Sequence, residues 1–202
     1  MPVARTVIAA ARDAGSYELV FVDDADMTDS VNGHRVFTYE QLLRHPAESK
    51  AVSVAIADPF TRQRVAARCA ADGLSFFPVV APGTLMMDEV RIGEGAILSP
   101  LVTLTSNIRI GRFFHCNLYS YVEHDCVIGD FVTFAPAVRC NGNVHIEDHA
   151  YLGSGCIIKQ GTPDSPVVIG RGAVIGMGAV VTRSVAAGMT VVGTPARPVQ
   201  RS

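Results

Sequence analysis

Residues 121–130 read YVEHDCVIGD, with a single histidine, His124, set between Glu123 and Asp125. An imidazole titrates near 6.5, so its neutral form dominates at pH 7 and can accept a proton. A carboxylate on its other ring nitrogen fixes the tautomer and steadies the imidazolium that forms. This combination suits acyl transfer to an amine or hydroxyl. Such a reaction needs a base for the acceptor's proton, a donor group for the oxyanion, and two substrates held together. Asp125 is the first choice as partner of His124 and Glu123 the second; alternation along the chain does not decide between them.

The elements around this histidine keep a six-residue rhythm. From Ile92 an apolar residue recurs at Leu98, Leu104, Ile110, Cys116, Val122, Ile128, Phe134, Cys140, Ile146, Leu152 and Ile158. After a five-residue insertion at 164–168 the series resumes with Ile169, Ile175 and Val181. Chance would produce so unbroken a series about once in 10⁴, allowing for the choice of register. A second restricted position lies four residues on, from Ala96 and Val102 through Cys156 and Thr162 to Val185. A period of six fits neither a helix nor a plain alternating strand. It fits a short strand and a corner, repeated, whose turns must stack into a solenoid to bury their apolar faces. Three hexads make one triangular coil of 18 residues.

His124 is third in its hexad and therefore falls on a corner, pointing away from the coil. Ser106 and Gly142 lie one coil to either side. A glycine beside the ring leaves room for an acyl donor, with the thioester carbonyl expected near the N–H of Gly142. Cys116, Cys126, Cys140 and Cys156 occupy inward positions and read as small core side chains. With five cysteines in all, this implies free thiols in a reducing, cytoplasmic compartment.

Residues 1–83 have a different grammar. VARTVIAAARDAG (3–15) has a helical pattern, and YELVFV (17–22), AVSVAIA (51–57) and SFFPVV (75–80) read as buried strands. Thr38 with Gln41 forms a capping box for TYEQLL. Asp58, with Pro59 after it, starts a second helix that should stop at Gly73. Strands alternating with helices predict an α/β domain with a Rossmann-like parallel sheet. Pro82-Gly83 is the expected hinge to a second domain, 84–202. Asp23 and Asp24 end the first strand, where an acid can bind a ribose or base edge. The net charge of −2 excludes a basic nucleic-acid face, and no apolar run is long enough to span a membrane.

Residues 86–197 resemble the left-handed β-helix acyltransferases of the hexapeptide-repeat type; the left hand is implied by that resemblance alone. The whole chain, through FVDD, AIADPFTR and NLYSYVEHDCVIGDF, is similar to the NeuD/PglD group of sugar acetyltransferases. The resemblance implies acetyl-CoA as donor, a sugar acceptor held by the first domain, no metal, and a homotrimer with the donor in the cleft between subunits. It gives His124 the role of general base and places Asn117 near the acceptor. Asn141, Gly142, Gly161 and Gly178 form the expected donor-binding set. Thr133 stands where the group often has a second, donor-contacting histidine.

The resemblance also departs at one place. Members of the group open with a strand and a glycine-rich loop, whereas VARTVIAAAR (3–12) is similar to the helix that comes after that loop. Weak or absent affinity for a nucleoside diphosphate is the corresponding expectation. The leading function is N-acetylation of a nucleotide-linked amino sugar, with sugar or sialic acid O-acetylation as the alternative. Two remoter classes are a zinc hydratase using HIEDH (145–149) with His115 or His124, and a non-catalytic trimeric scaffold.

Overall fold

A computed structural model describes residues 18–25 and 29–199. The helical pattern at 3–15 and the start of the first expected strand lie outside them.

The 18-residue period becomes three parallel sheets, one per side of a triangular prism. Face one stacks Leu85–Met86, Thr103–Leu104, Tyr121–Val122, Arg139–Cys140, Ile157–Ile158 and Val180–Val181. Face two stacks Val90–Ile92, Ile108–Ile110, Val127–Ile128, Val144–Ile146 and Val167–Ile169. Face three runs from Val79–Val80 through Ile97–Leu98, His115–Cys116, Thr133–Phe134, Tyr151–Leu152 and Val174–Ile175 to Thr190–Val192. Registers advance by 18 residues, as in Leu104↔Val122↔Cys140↔Ile158. This stack of short parallel strands fits a left-handed β-helix.

The inward residues form one continuous column. Leu98, Leu104, Val122, Phe134, Cys140, Leu152, Ile158 and Ile169 are fully buried, as are Val102, Cys126, Val138 and Cys156 from the second inward set. Each buried aliphatic side chain contributes on the order of 1.5–3 kcal/mol. The expected inward residue Thr162 is exposed instead. Val167 fills its place, paired with Val144. The extra five residues thus bulge outward at 162–166, two positions earlier than the period suggested, closed by Thr162–Ser165 bridging bonds.

The regular corners each place one residue in the left-handed backbone region. Between faces one and two these are Asn107, Asp125 and Asn143, with φ of 58°, 58° and 54°. Asn and Asp tolerate that region because their side chains bond locally. Between faces two and three the same position holds Phe113, Phe131 and His149. Here the strain is offset by stacking: the Phe113 and Phe131 centroids lie 5.0 Å apart, and Phe131 and His149 5.5 Å.

That aromatic ladder receives the N-terminal unit. In this unit β1 (Phe21–Val22), β2 (Ser30–Val31) and β3 (His34–Phe37) precede α1 (Tyr39–Arg44); β4 (Ala51–Val52), α2 (Pro59–Ala71) and β5 (Ser75–Phe76) come after it. Both caps form as the sequence predicts: Gln41 N donates to Thr38 Oγ1 at 3.2 Å, and Thr61 N to Asp58 Oδ1 at 2.7 Å. Gly73, at φ 77°, ends the second helix. The expected single parallel sheet is divided among the described residues. β1 pairs parallel with β3 and β2 antiparallel with β3, while β4 pairs only with β5. AVSVAIA is extended strand only at Ala51–Val52, because the residues after it turn to meet the coils. SFFPVV splits likewise: Ser75–Phe76 stays with β4, and Val79–Val80 opens face three against Ile97–Leu98. The stacked coils therefore begin before the expected hinge at Pro82-Gly83.

Arg62 of α2 locks this junction. Its fully buried guanidinium donates to the carbonyls of Ile56, Phe113 and Phe131 at 2.7, 3.0 and 2.7 Å. Phe60 stacks on His149 with centroids 4.8 Å apart.

Candidate active site

The corner between faces one and two holds His124 and both of its neighbouring acids. Tyr121–Val122 runs into it on face one, and Val127–Ile128 leaves it on face two. The turn forces Asp125 into the left-handed region, which folds its carboxylate back toward the preceding ring. His124 Nδ1 and Asp125 Oδ2 are 2.7 Å apart. The other oxygen of Asp125 accepts from Asn107 Nδ2 at 3.1 Å. Nδ1 thus donates to the carboxylate, and Nε2 keeps its lone pair. The imidazole is 56% exposed, so a substrate can reach it. The hydrogen bond to Asp125 raises its pKa above the usual 6.5, and His124 and Asn107 hold the Asp125 carboxyl below its usual range.

Gly142 has a plain steric reason. A Cβ there would lie 2.6 Å from both Cε1 and Nε2 of His124. The glycine is the space over which the ring lies. Its N–H is already engaged, however, donating to Glu123 Oε2 at 3.2 Å. The expected oxyanion donor is therefore occupied by a carboxylate one coil away. This also separates the two acids: Asp125 holds the imidazole and Glu123 holds the backbone of the next coil.

The remaining donor-set residues are engaged too. Asn141 accepts from Tyr121 Oη at 2.9 Å. Gly161 N donates to Gly142 O at 3.0 Å, and a Cβ there would strike Asn143 O at 2.5 Å. Gly178 sits at the corner between faces three and one with φ 65° and its N–H on Ser154 O. Asn117 shares that second corner, its amide oxygen accepting from Leu118 N at 3.0 Å. The expected residues thus divide between the two edges of face one: His124, Asp125, Asn141, Gly142 and Gly161 on one, Asn117 and Gly178 on the other.

Asp23 and Asp24 lie at the end of β1. Asp24 Oδ1 accepts from Tyr39 N at 2.7 Å and so orders the start of α1, while Asp23 accepts from Ala25 N. Thr133 is buried, donating to Ala57 O at 2.9 Å. It faces the N-terminal unit rather than a donor. His115 lies beside it, 3.5 Å from Arg62; burial and that cation push its pKa down to about 3. His149 is buried in the aromatic ladder and His145 is exposed on face two. Among the described residues of the chain no group of three or more metal-ligating side chains converges. No helix among them is long and apolar enough to cross a membrane.

Asn107 and Tyr121 escaped the sequence reading. Asn107 had one usable signal, its 18-residue spacing from Asp125.

Comparison with known proteins fits this geometry. The hexapeptide repeat of succinyl-transferase family matches residues 143–183. GDP-perosamine N-acetyltransferase of Escherichia coli O157:H7 is 53% identical over 192 residues, covering 95% of this chain and 87% of that protein. The chain belongs to the hexapeptide-repeat acyltransferases of the perosamine N-acetyltransferase type. This acetyltransferase is also similar in structure to WeeI from Acinetobacter baumannii AYE, with a TM-score of 0.95, 51% identity, and coverage of 98% and 93% of the two chains. A variant of perosamine N-acetyltransferase from Caulobacter crescentus, in complex with CoA and GDP-perosamine, has a TM-score of 0.87 at 29% identity. The match covers 100% of this chain and 94% of that one. The enzyme is thus an acetyl-CoA-dependent sugar acetyltransferase.

Proposed function

We propose that the enzyme transfers the acetyl group of acetyl-CoA to the amino group of a nucleotide-linked amino sugar, with His124 as general base. The observation that carries this reading is the 2.7 Å bond from Nδ1 to Asp125 on an exposed ring whose Nε2 is free. His124 Nε2 takes a proton from the acceptor nitrogen as that nitrogen attacks the thioester carbonyl. Asp125 steadies the imidazolium, and Asn107 holds Asp125. Collapse of the tetrahedral intermediate breaks the carbon–sulfur bond, and the imidazolium returns its proton to the departing thiolate.

The nucleotide-linked acceptor is favoured by the relatives, which are named for or bound to GDP-perosamine. We prefer it to the weak nucleotide affinity expected from the opening residues, which lie outside the described part. The unit at 1–83 would hold the acceptor in a Rossmann-like manner, with Asp23 toward the nucleoside, and the coils of 84–202 would hold the donor. The division of the site between two corners supports a homotrimer, in which Asn117 and Gly178 of one subunit meet His124 of the next. The described cysteines are all free and buried, in keeping with a cytoplasmic enzyme.

The test is acetyl-CoA consumption with GDP-linked and free amino sugars as acceptors. His124→Ala should lower kcat by a factor on the order of 10²–10⁴ while the fold persists. Wild-type turnover by a folded His124→Ala protein would remove the histidine from the mechanism.

A further inference from the structure

We propose that α2 sits on the coils through a proton-sensitive latch: His115 and His149 hold the N-terminal unit while both rings are uncharged, and acid releases it. Three residues near the start of the helix make the contact. Arg62 Nη1 lies 3.5 Å from His115 Nδ1. Gln63 Oε1 lies 2.9 Å from His149 Nε2, and the Phe60 ring stacks on the His149 ring.

The partners fix the protonation of both imidazoles. A guanidinium has donors only, so the Nδ1 of His115 that faces Arg62 accepts and carries no proton. Gln63 Oε1 accepts, so His149 carries its proton on Nε2. Its Nδ1 is buried with no partner among the described residues. An imidazolium has an N–H on both nitrogens. On His115 the second proton would face Arg62, donor against donor and cation against cation. On His149 it would be buried with nothing to accept it.

The surrounding charges do not compensate. Burial and then Arg62 oppose charge on His115, outweigh the nearby Val54 carbonyl, and hold its pKa at about 3. Burial, Arg171 and Arg62 oppose charge on His149 and outweigh Asp148 and Asp130, so its pKa is lowered too. Those two acids are already paired, Asp148 with Arg171 and Asp130 with Arg112.

A histidine held below its ordinary 6.5 stabilises the seated state fully above that pH and progressively less below it. As pH falls from 6.5 toward about 3, His115 alone makes release up to tenfold easier for each unit. His149 acts in the same direction. The apolar column inside the coils has no histidine or carboxylate, so the coils outlast the latch. If the N-terminal unit holds the acceptor, as the function proposed above has it, acid removes acceptor binding separately from its effect on His124.

The experiment is hydrogen–deuterium exchange by mass spectrometry on the intact chain at pH of about 7.5 and 5, corrected for the intrinsic pH dependence of exchange. Opening at α2 should rise about tenfold or more in acid, while peptides from face one keep their protection. His115→Asn keeps an oxygen to accept from Arg62, and His149→Phe continues the ladder of Phe113 and Phe131; neither new side chain titrates. The double variant should therefore hold α2 equally at both pH values. If it fails to seat, His115→Asn alone should show a smaller rise than wild type. Unchanged α2 protection in wild type, loss of α2 and face one together, or a variant that opens in acid as wild type does would each overturn the latch. Exchange is measured without substrates, so its result is independent of the function proposed above.

Discussion

A carboxylate 2.7 Å from Nδ1 makes the imidazole a stronger base, and this has a direction in pH. With His124 as the proposed base the neutral ring is the active form, so the rate should climb as pH rises through its raised pKa, above 6.5. Asp125→Asn removes the charge that raises it. The acid limb of the kcat profile should then move to lower pH while kcat itself falls, and an unmoved limb would assign it to another group. Gly142→Ala tests the space over which the ring lies. The added methyl meets the exposed end of the histidine rather than backbone, so the fold should survive while the ring is displaced and kcat drops by tenfold or more, an effect of about 1.4 kcal/mol or above. Circular dichroism and steady-state rates check both halves of that statement. His124 and its acids were legible in the sequence because their types and corner position are local. The choice between Asp125 and Glu123 was not, since it depends on a left-handed turn and on a backbone N–H one coil away.

At the scale of the elements the period was nearly sufficient. A hexad assigns each side chain to the interior or the surface, and the column from Leu98 to Val181 obeys it. Phe134 is fully buried and packs edge-on against Phe114 at 5.1 Å. Phe134→Ala should lower unfolding free energy by about 3–5 kcal/mol, read as a lower denaturant midpoint. A loss below about 1 kcal/mol would mean the coil closes around the gap. The insertion was visible in length but shifted in place, because Thr162 and Val167 compete for one inward site and the apolar side chain wins. The N-terminal strands were less legible. Short apolar runs such as AVSVAIA and SFFPVV look like buried strands, but their buried residues answer to α2 and the Phe113–Phe131 ladder rather than to one sheet. Arg62 gave no signal, since a buried arginine in a helix is recognised only once its carbonyl partners from distant coils are in place.

The whole molecule presents apolar side chains where another copy could cover them. Leu85 and Met86 are exposed on face one, and Leu101 and Tyr119, one coil apart, at its edge beside Asn117. A cyclic trimer would cover such patches with a repeated contact between different surfaces. Light scattering on the purified protein should give three times the chain mass, and Tyr119→Glu should reduce both that mass and the activity. A fully active monomer would refute the shared site. The outward bulge at 162–166 has a further consequence for how such a protein can diversify. Because Val144–Ile146 and Val167–Ile169 pair across it without a break, chain can be lengthened or shortened at that corner while neither neighbouring rung changes partners. Loop length there can therefore drift with the foldable scaffold left untouched.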